Sequence, residues 1–218
     1  MHIVLVVAIA TAVITALVVG HLIAQQRRNA LAALAARLGL KFCPDKDSDL
    51  ADTLSFLDRL DQGRSRYVYN RLSGDYQGHP VMAFDFHYKT GSGKHTQHHH
   101  LSILTLKLSR SFPELIITPE GFFSKIAQSF GYDDIDFESA EFSRTFCVRS
   151  PDKKFAYDVC HTGMMEYLLA RHDLAIEFEG NALALAFDRC LDVEEIEPRL
   201  RQLVEIRQLM PAYLFAKT

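Results

Sequence analysis

Residues 81–108 read VMAFDFHYKTGSGKHTQHHHLSILTLKL, and the reading of this stretch decides the fold. Met82, Phe84, Phe86 and Tyr88 alternate with Val81, Ala83, Asp85 and His87, the period of a strand with one strongly apolar face. The glycine-rich run after Thr90 turns the chain into a second strand that begins near His99. If Phe86 faces Leu101 and Phe84 faces Ile103, the apolar faces coincide, and the same register sets His87 opposite His100 and Asp85 opposite Ser102. Leu104, Leu106 and Leu108 then fall on the other parity, which requires either a bulge or a strand buried on both faces.

Outward from this hairpin the pattern changes several times. Upstream, residues 48–60 carry Leu50, Leu54, Leu57 and Leu60 at helical spacing, and residues 29–38 form an alanine-rich helix that Gly39 caps. Downstream, Leu115–Thr118 reads as a strand, and Thr118-Pro119-Glu120 as a helix start. Strands are expected at 142–149 and 155–160 around a Ser150-Pro151-Asp152-Lys153 turn, followed by a helix capped by Thr162. Residues 174–187 read as a hairpin turning at Gly180-Asn181, and the last helix starts at an Asp192/Glu195 capping box or at Pro198. The expected class is α+β: an N-terminal transmembrane helix, then an antiparallel β-meander domain with packed helices. The expected division is an anchor over 1–28, a helical stalk over 29–39 and a cytosolic domain over 40–218.

The charge distribution supports that division. The chain has 218 residues, 48% of them hydrophobic, and its 24 Lys and Arg and 27 Asp and Glu all lie from Arg27 onward. Residues 3–24, IVLVVAIATAVITALVVGHLIA, would make a helix about 33 Å long against a hydrocarbon core of about 30 Å. This stretch is too long and its start too uncharged for a cleaved secretory signal, so a permanent anchor is expected. Arg27, Arg28, Arg37 and Lys41 follow the helix with no acidic residue before Asp45, which places the N-terminus outside and the body in the cytoplasm. Cys43, Cys147, Cys160 and Cys190 form no C-x-x-C pair and suit reduced thiols. A net charge of −3 without a basic patch excludes a typical nucleic-acid binder.

The most chemical feature is the run of histidines. In the register above, His87, His98 and His100 share one strand face and can present three imidazoles to zinc with a fourth position open, while Asp85 is placed to orient one ring. The plainer reading is a solvated hairpin mouth. Gly91-Ser92-Gly93-Lys94 lacks the spacing, the Ser/Thr and the following helix of a phosphate loop. Asp133, Asp134, Asp136, Glu138 and Glu141 lack the glycine of an EF-hand loop, and Cys160-His161 sits in a strand-like context where a catalytic dyad is not expected. No catalytic residue is assigned, and no cofactor unless zinc.

The stretches SGDYQGHPVMAFDFHYKTGSGKHT (73–96), FESAEFSRTFCVRSPDKKFAYDV (137–159) and MMEYLLA (164–170) resemble an uncharacterised family of bacterial single-pass membrane proteins with a soluble domain of unknown function. The resemblance implies a bacterial inner-membrane location and brings no site residues. The expected function is a membrane-tethered cytosolic binding or scaffolding domain without catalysis, contacting the membrane through residues 3–24 and a protein partner whose identity the sequence does not give. The alternatives are a zinc-dependent enzyme or metal sensor built on the histidines, and a pleckstrin-like lipid-binding module.

Overall fold

The computed structural model describes residues 2–57, 60–120 and 134–216, with the side chains of residues 1–10 and 12 outside the description. Helix α1 (His2–Leu38) is followed by β1 (Lys41–Cys43), α2 (Ser48–Thr53), β2 (Arg64–Tyr76), β3 (His79–Thr90) and β4 (Gln97–Pro119). Then come α3 (Ala140–Thr145), β5 (Phe146–Arg149), α4 (Lys153–Val159), α5 (Thr162–Leu169), β6 (Ala175–Ala186) and α6 (Val193–Leu209). The architecture is α+β, with an antiparallel sheet of six strands in which β1 to β4 are successive neighbours.

The long strand β4 organises the sheet. One edge of it pairs with β3 along residues 97–106 and with β5 along 116–119, while the other edge pairs with β6 from Ile103 to Ile117. Phe84 faces Ile103, Asp85 faces Ser102, Phe86 faces Leu101 and His87 faces His100, the register that burial of the phenylalanines requires. The change of parity after Ile103 reflects burial on both faces. Leu104, Leu106 and Leu108 join one core with Leu31, Leu34 and the apolar side of α6, whereas Leu101 and Ile103 join a second core with Ala51, Leu57, Phe84 and Phe86.

Helix α1 is continuous through the expected stalk, and Leu31, Leu34 and Ala35 are buried in the main core. Residues 29–38 therefore bind the body along one face, because their Leu spacing makes a stripe that the sheet covers. Thr15 Oγ1 donates to the Thr11 carbonyl at 2.9 Å, so this hydroxyl is satisfied within the helix. Among the described residues no helix is long and apolar enough to cross a membrane. The uncharged part of α1 whose side chains are described without interruption, residues 13–26, would extend only about 21 Å.

Several expectations are corrected. Residues 155–160 are not a strand: Asp152 Oδ1 accepts from Phe155 N at 3.0 Å and starts α4, whose Phe155, Ala156 and Val159 form a buried helical stripe. Residues 140–145 are likewise helical, capped by Ser139, and only Phe146–Arg149 is strand. The chain does not reverse at Gly180-Asn181. Both apolar runs there pair with the same strand β4, and Gly180, at φ 55°, sits at a break of register instead of at a turn. Helix α5 is preceded by His161 rather than capped by the Thr162 side chain. The capping box of Asp192 and Glu195 does start α6, with Pro198 inside the helix. Thr118 and Pro119 do not cap and start a helix: both are paired with β5 at the end of β4, and residues 121–133 lie outside the described residues.

Candidate functional site

Two breaks in the β2–β3 register shape the site, one between Arg64 and Tyr67 and one between Tyr69 and Leu72. Each contains a non-glycine residue with positive φ, Ser65 at 54° and Asn70 at 52°. Each also delivers a polar group to the face of the sheet that α1 covers. Asn70 Nδ2 donates to Asp85 Oδ2 at 2.9 Å, and the Ser65 carbonyl meets His87 Nδ1 at 3.2 Å.

Asp85 is 3% exposed and fully engaged. Arg27 Nη2 donates to both of its oxygens at 3.1 Å, and Ser102 Oγ donates to Oδ1 at 2.7 Å. Arg27 Nη1 also donates to the Leu191 carbonyl at 2.7 Å, so one guanidinium ties α1 to β3 and to the loop before α6. Asp85 is thus committed to Arg27, Asn70 and Ser102 and does not orient an imidazole, contrary to the role expected for it. The sequence carried no local sign of this pairing, since 58 residues separate Arg27 from Asp85.

One rung further along the hairpin lie the histidines. His87, His98 and His100 each offer a ring nitrogen within 4.8 Å of the others, and His87 Nε2 lies 3.1 Å from His98 Nδ1. His87 is only 2% exposed and stacks on Tyr67 at 4.4 Å between centroids, whereas His98 and His100 are exposed. His100 Nδ1 meets the Tyr69 hydroxyl at 3.0 Å, and that hydroxyl lies 3.7 Å from Cys190 Sγ. Burial holds the imidazoles of His87 and His100 below their ordinary pKa, and the neighbouring histidines add to the effect, so the rings favour the neutral form that binds metals. Burial pushes the Tyr69 hydroxyl up, which keeps it protonated. Tyr69 and the Ser65 carbonyl were not foreseen as partners. Tyr69 is an alternating residue of a strand, and a backbone carbonyl leaves no mark in a sequence.

The three rings line a cleft of about 350 Å³ together with Lys46, Arg66 and Lys89. Lys46 Nζ lies 4.4 Å from the Tyr67 ring centroid. His99 points elsewhere: its Nε2 bonds Thr90 Oγ1 at 2.8 Å and its ring stacks on Tyr88 at 4.5 Å. Gly93–His95 form a short 3-10 turn at the hairpin tip.

The other candidates are dispersed. His161 Nε2 bonds the Leu209 carbonyl at 2.9 Å, and burial pushes the adjacent Cys160 thiol up to about 12, so neither is poised as a dyad. Asp134 Oδ1 accepts from Val148 N at 2.7 Å, a structural use, while Asp133 lies outside the described residues.

No family model matches the chain, and no curated protein matches it. Among solved structures the chain is similar to the crystal structure of the mycobacterial trehalose monomycolate transport factor A, TtfA, with a TM-score of 0.64 and 13% identity. The match covers 86% of this chain and 96% of that one. At that identity the likeness is one of fold.

Proposed function

We propose that the chain is a membrane-tethered binding or scaffolding domain without catalysis, anchored in the bacterial inner membrane by residues 3–24, with the N-terminus outside and the body in the cytoplasm. The observation that carries this reading is the junction at Arg27. The first charged residue after 26 uncharged ones is also the residue that clamps α1 to Asp85 and Leu191, with no break in the helix between the two regions. A tether of that kind holds the body at a set position against the membrane instead of on a flexible leash. Arg27 and Arg28 at the exit favour the cytoplasmic side. The anchor itself rests on the sequence of residues 3–24. That TtfA, described as a transport factor, uses the same fold is compatible with a supporting role beside a membrane.

The test uses the full chain. Carbonate-resistant membrane association is expected, together with activity of a C-terminal reporter that works only in the cytoplasm. Replacement of Leu17 and Val18 by Arg should release the protein into the soluble fraction, since each charge near a bilayer centre costs about 3 kcal/mol. A wild-type chain that fractionates as soluble, or a C-terminal reporter active only in the periplasm, overturns the reading.

A further inference from the structure

We propose that His87, His98 and His100 form a Zn²⁺ site on the α1 face of the β3–β4 hairpin, with one coordination position open to the cleft. The inference does not depend on the membrane reading.

The argument starts from spacing. Zinc with nitrogen ligands at about 2.0–2.1 Å in a tetrahedron sets the ligand atoms about 3.3 Å apart. The His87–His98 pair already stands at 3.1 Å, and all three donors fall within 4.8 Å. The remaining adjustment falls on His98 and His100, whose rings are exposed, while buried His87 supplies the fixed corner.

Spacing alone would also suit a histidine hydrogen bond, so the partners behind the rings decide. A backbone carbonyl only accepts, so Ser65 fixes the proton of neutral His87 on Nδ1 and leaves the Nε2 lone pair aimed at His98. With the Tyr69 hydroxyl accepting from Nδ1–H of His100, the Nε2 lone pair of that ring is the free metal donor. Two of the three imidazoles therefore carry the kind of backing that orients metal-binding histidines. Ser65 delivers its carbonyl from a left-handed conformation at a break in the strand pairing, local strain of the kind that collects at functional positions.

The donor set names the metal class. Three imidazoles with no carboxylate suit Zn²⁺ and exclude Ca²⁺ and Mg²⁺, which take oxygen ligands. Lys46 and Lys89 line the same cleft, where Arg66 is already paired with Asp52 and Asp61, so an anionic oxygen suits the open position better than a neutral one.

The experiment uses untagged full-length protein purified in detergent without a metal column, stripped with chelator and titrated with Zn²⁺ against a chromophoric competitor. One equivalent is expected to bind. His98→Ala and His100→Ala should each weaken binding by at least about 100-fold, and Tyr69→Phe by about 10- to 100-fold. His99→Ala should leave the affinity unchanged, because that ring is held by Thr90 and Tyr88. Co²⁺ in place of Zn²⁺ should show the visible absorption of a four-coordinate centre, lost in His100→Ala. Absence of stoichiometric binding, or equal loss in His99→Ala and His100→Ala, overturns the proposal; the second result marks an adventitious histidine run only.

Discussion

The layer of Asp85 and Ser102 and the layer of His87 and His100 are adjacent rungs on one face of the same hairpin, about 7 Å apart along the strands. The first is closed. Its carboxylate has an arginine, an amide and a hydroxyl around it, each donating to an acceptor, and α1 lies over it. The second is open, and its groups are of one kind, three imidazoles facing one another across a cleft whose charged side chains are cationic. In the first layer the charges answer each other within the chain, while the buried Asn70 Oδ1 is left without a hydrogen-bond partner. In the second the imidazoles meet one another, the Ser65 carbonyl and the Tyr69 hydroxyl, and the proposed zinc would close the layer. What separates the two is the path of α1: Arg27 stands at Asp85 and Leu31 beside Leu72, Ala83 and Leu104, so residues 13–26 run on beyond the Asp85 rung, where they are exposed.

Replacing Arg27 tests that contrast most severely. Arg27→Ala leaves a buried carboxylate with neutral donors alone and should cost about 3–5 kcal/mol of stability, read as a lower urea midpoint. Arg27→Met combined with Asp85→Leu should recover much of the loss, because the burial penalty of the charge disappears with its partner. In metal-free protein, His98→Ala and His100→Ala should each cost no more than about 1 kcal/mol, as loss of an exposed ring with one neutral hydrogen bond does, to His87 and to Tyr69 respectively. If the histidine variants cost as much as Arg27→Ala, the open layer is structural and the contrast fails. Zinc sharpens the comparison further: it should raise the midpoint of the wild type and leave that of His100→Ala unmoved.

The hairpin itself was legible in the sequence because both strands alternate strictly and only one register buries Phe84, Phe86, Leu101 and Ile103 together. The same register sets His87 beside His100. Legibility stops where the determinant is distant or belongs to the backbone. Arg27 reads as a topology signal, and only the packed helix shows it as the partner of Asp85. Ser65 acts through its carbonyl. The misread segments share a second cause. Residues 155–160 are short, apolar and rich in aromatic and β-branched side chains, so strand preference outweighed the cap at Asp152, and Gly180-Asn181 is a good turn that the length of β4 overrides.

The smallest expected effect concerns the loop that seals the closed layer. Arg189 O accepts from Ser102 N at 2.9 Å and Leu191 N donates to Ser102 Oγ at 3.0 Å, so residues 189–191 cover the Asp85 rung from the far side. Glu195 holds this loop twice, through a bidentate pair with Arg189 and through Asp192 N at 2.8 Å. Above all the Arg189 hydrogen bonds, aided by Asp192 N, pull its carboxyl down to about 2 from an ordinary 4.5. A depressed carboxyl contributes stability that is fully present above its ordinary pKa and is lost as pH falls through the folded value. The wild type should therefore lose a small increment between about pH 4.5 and pH 2 that Glu195→Gln lacks, measured as the difference between their acid-unfolding curves. Gln keeps an acceptor for Asp192 N, so the difference reports the charge of the carboxylate, at Arg189 and at the amino end of α6. Because Arg189 is exposed, added salt should shrink it. A difference that persists in high salt would place the contribution of Glu195 in the cap of α6, and would leave the closure of the Asp85 layer to Ser102 and Arg27.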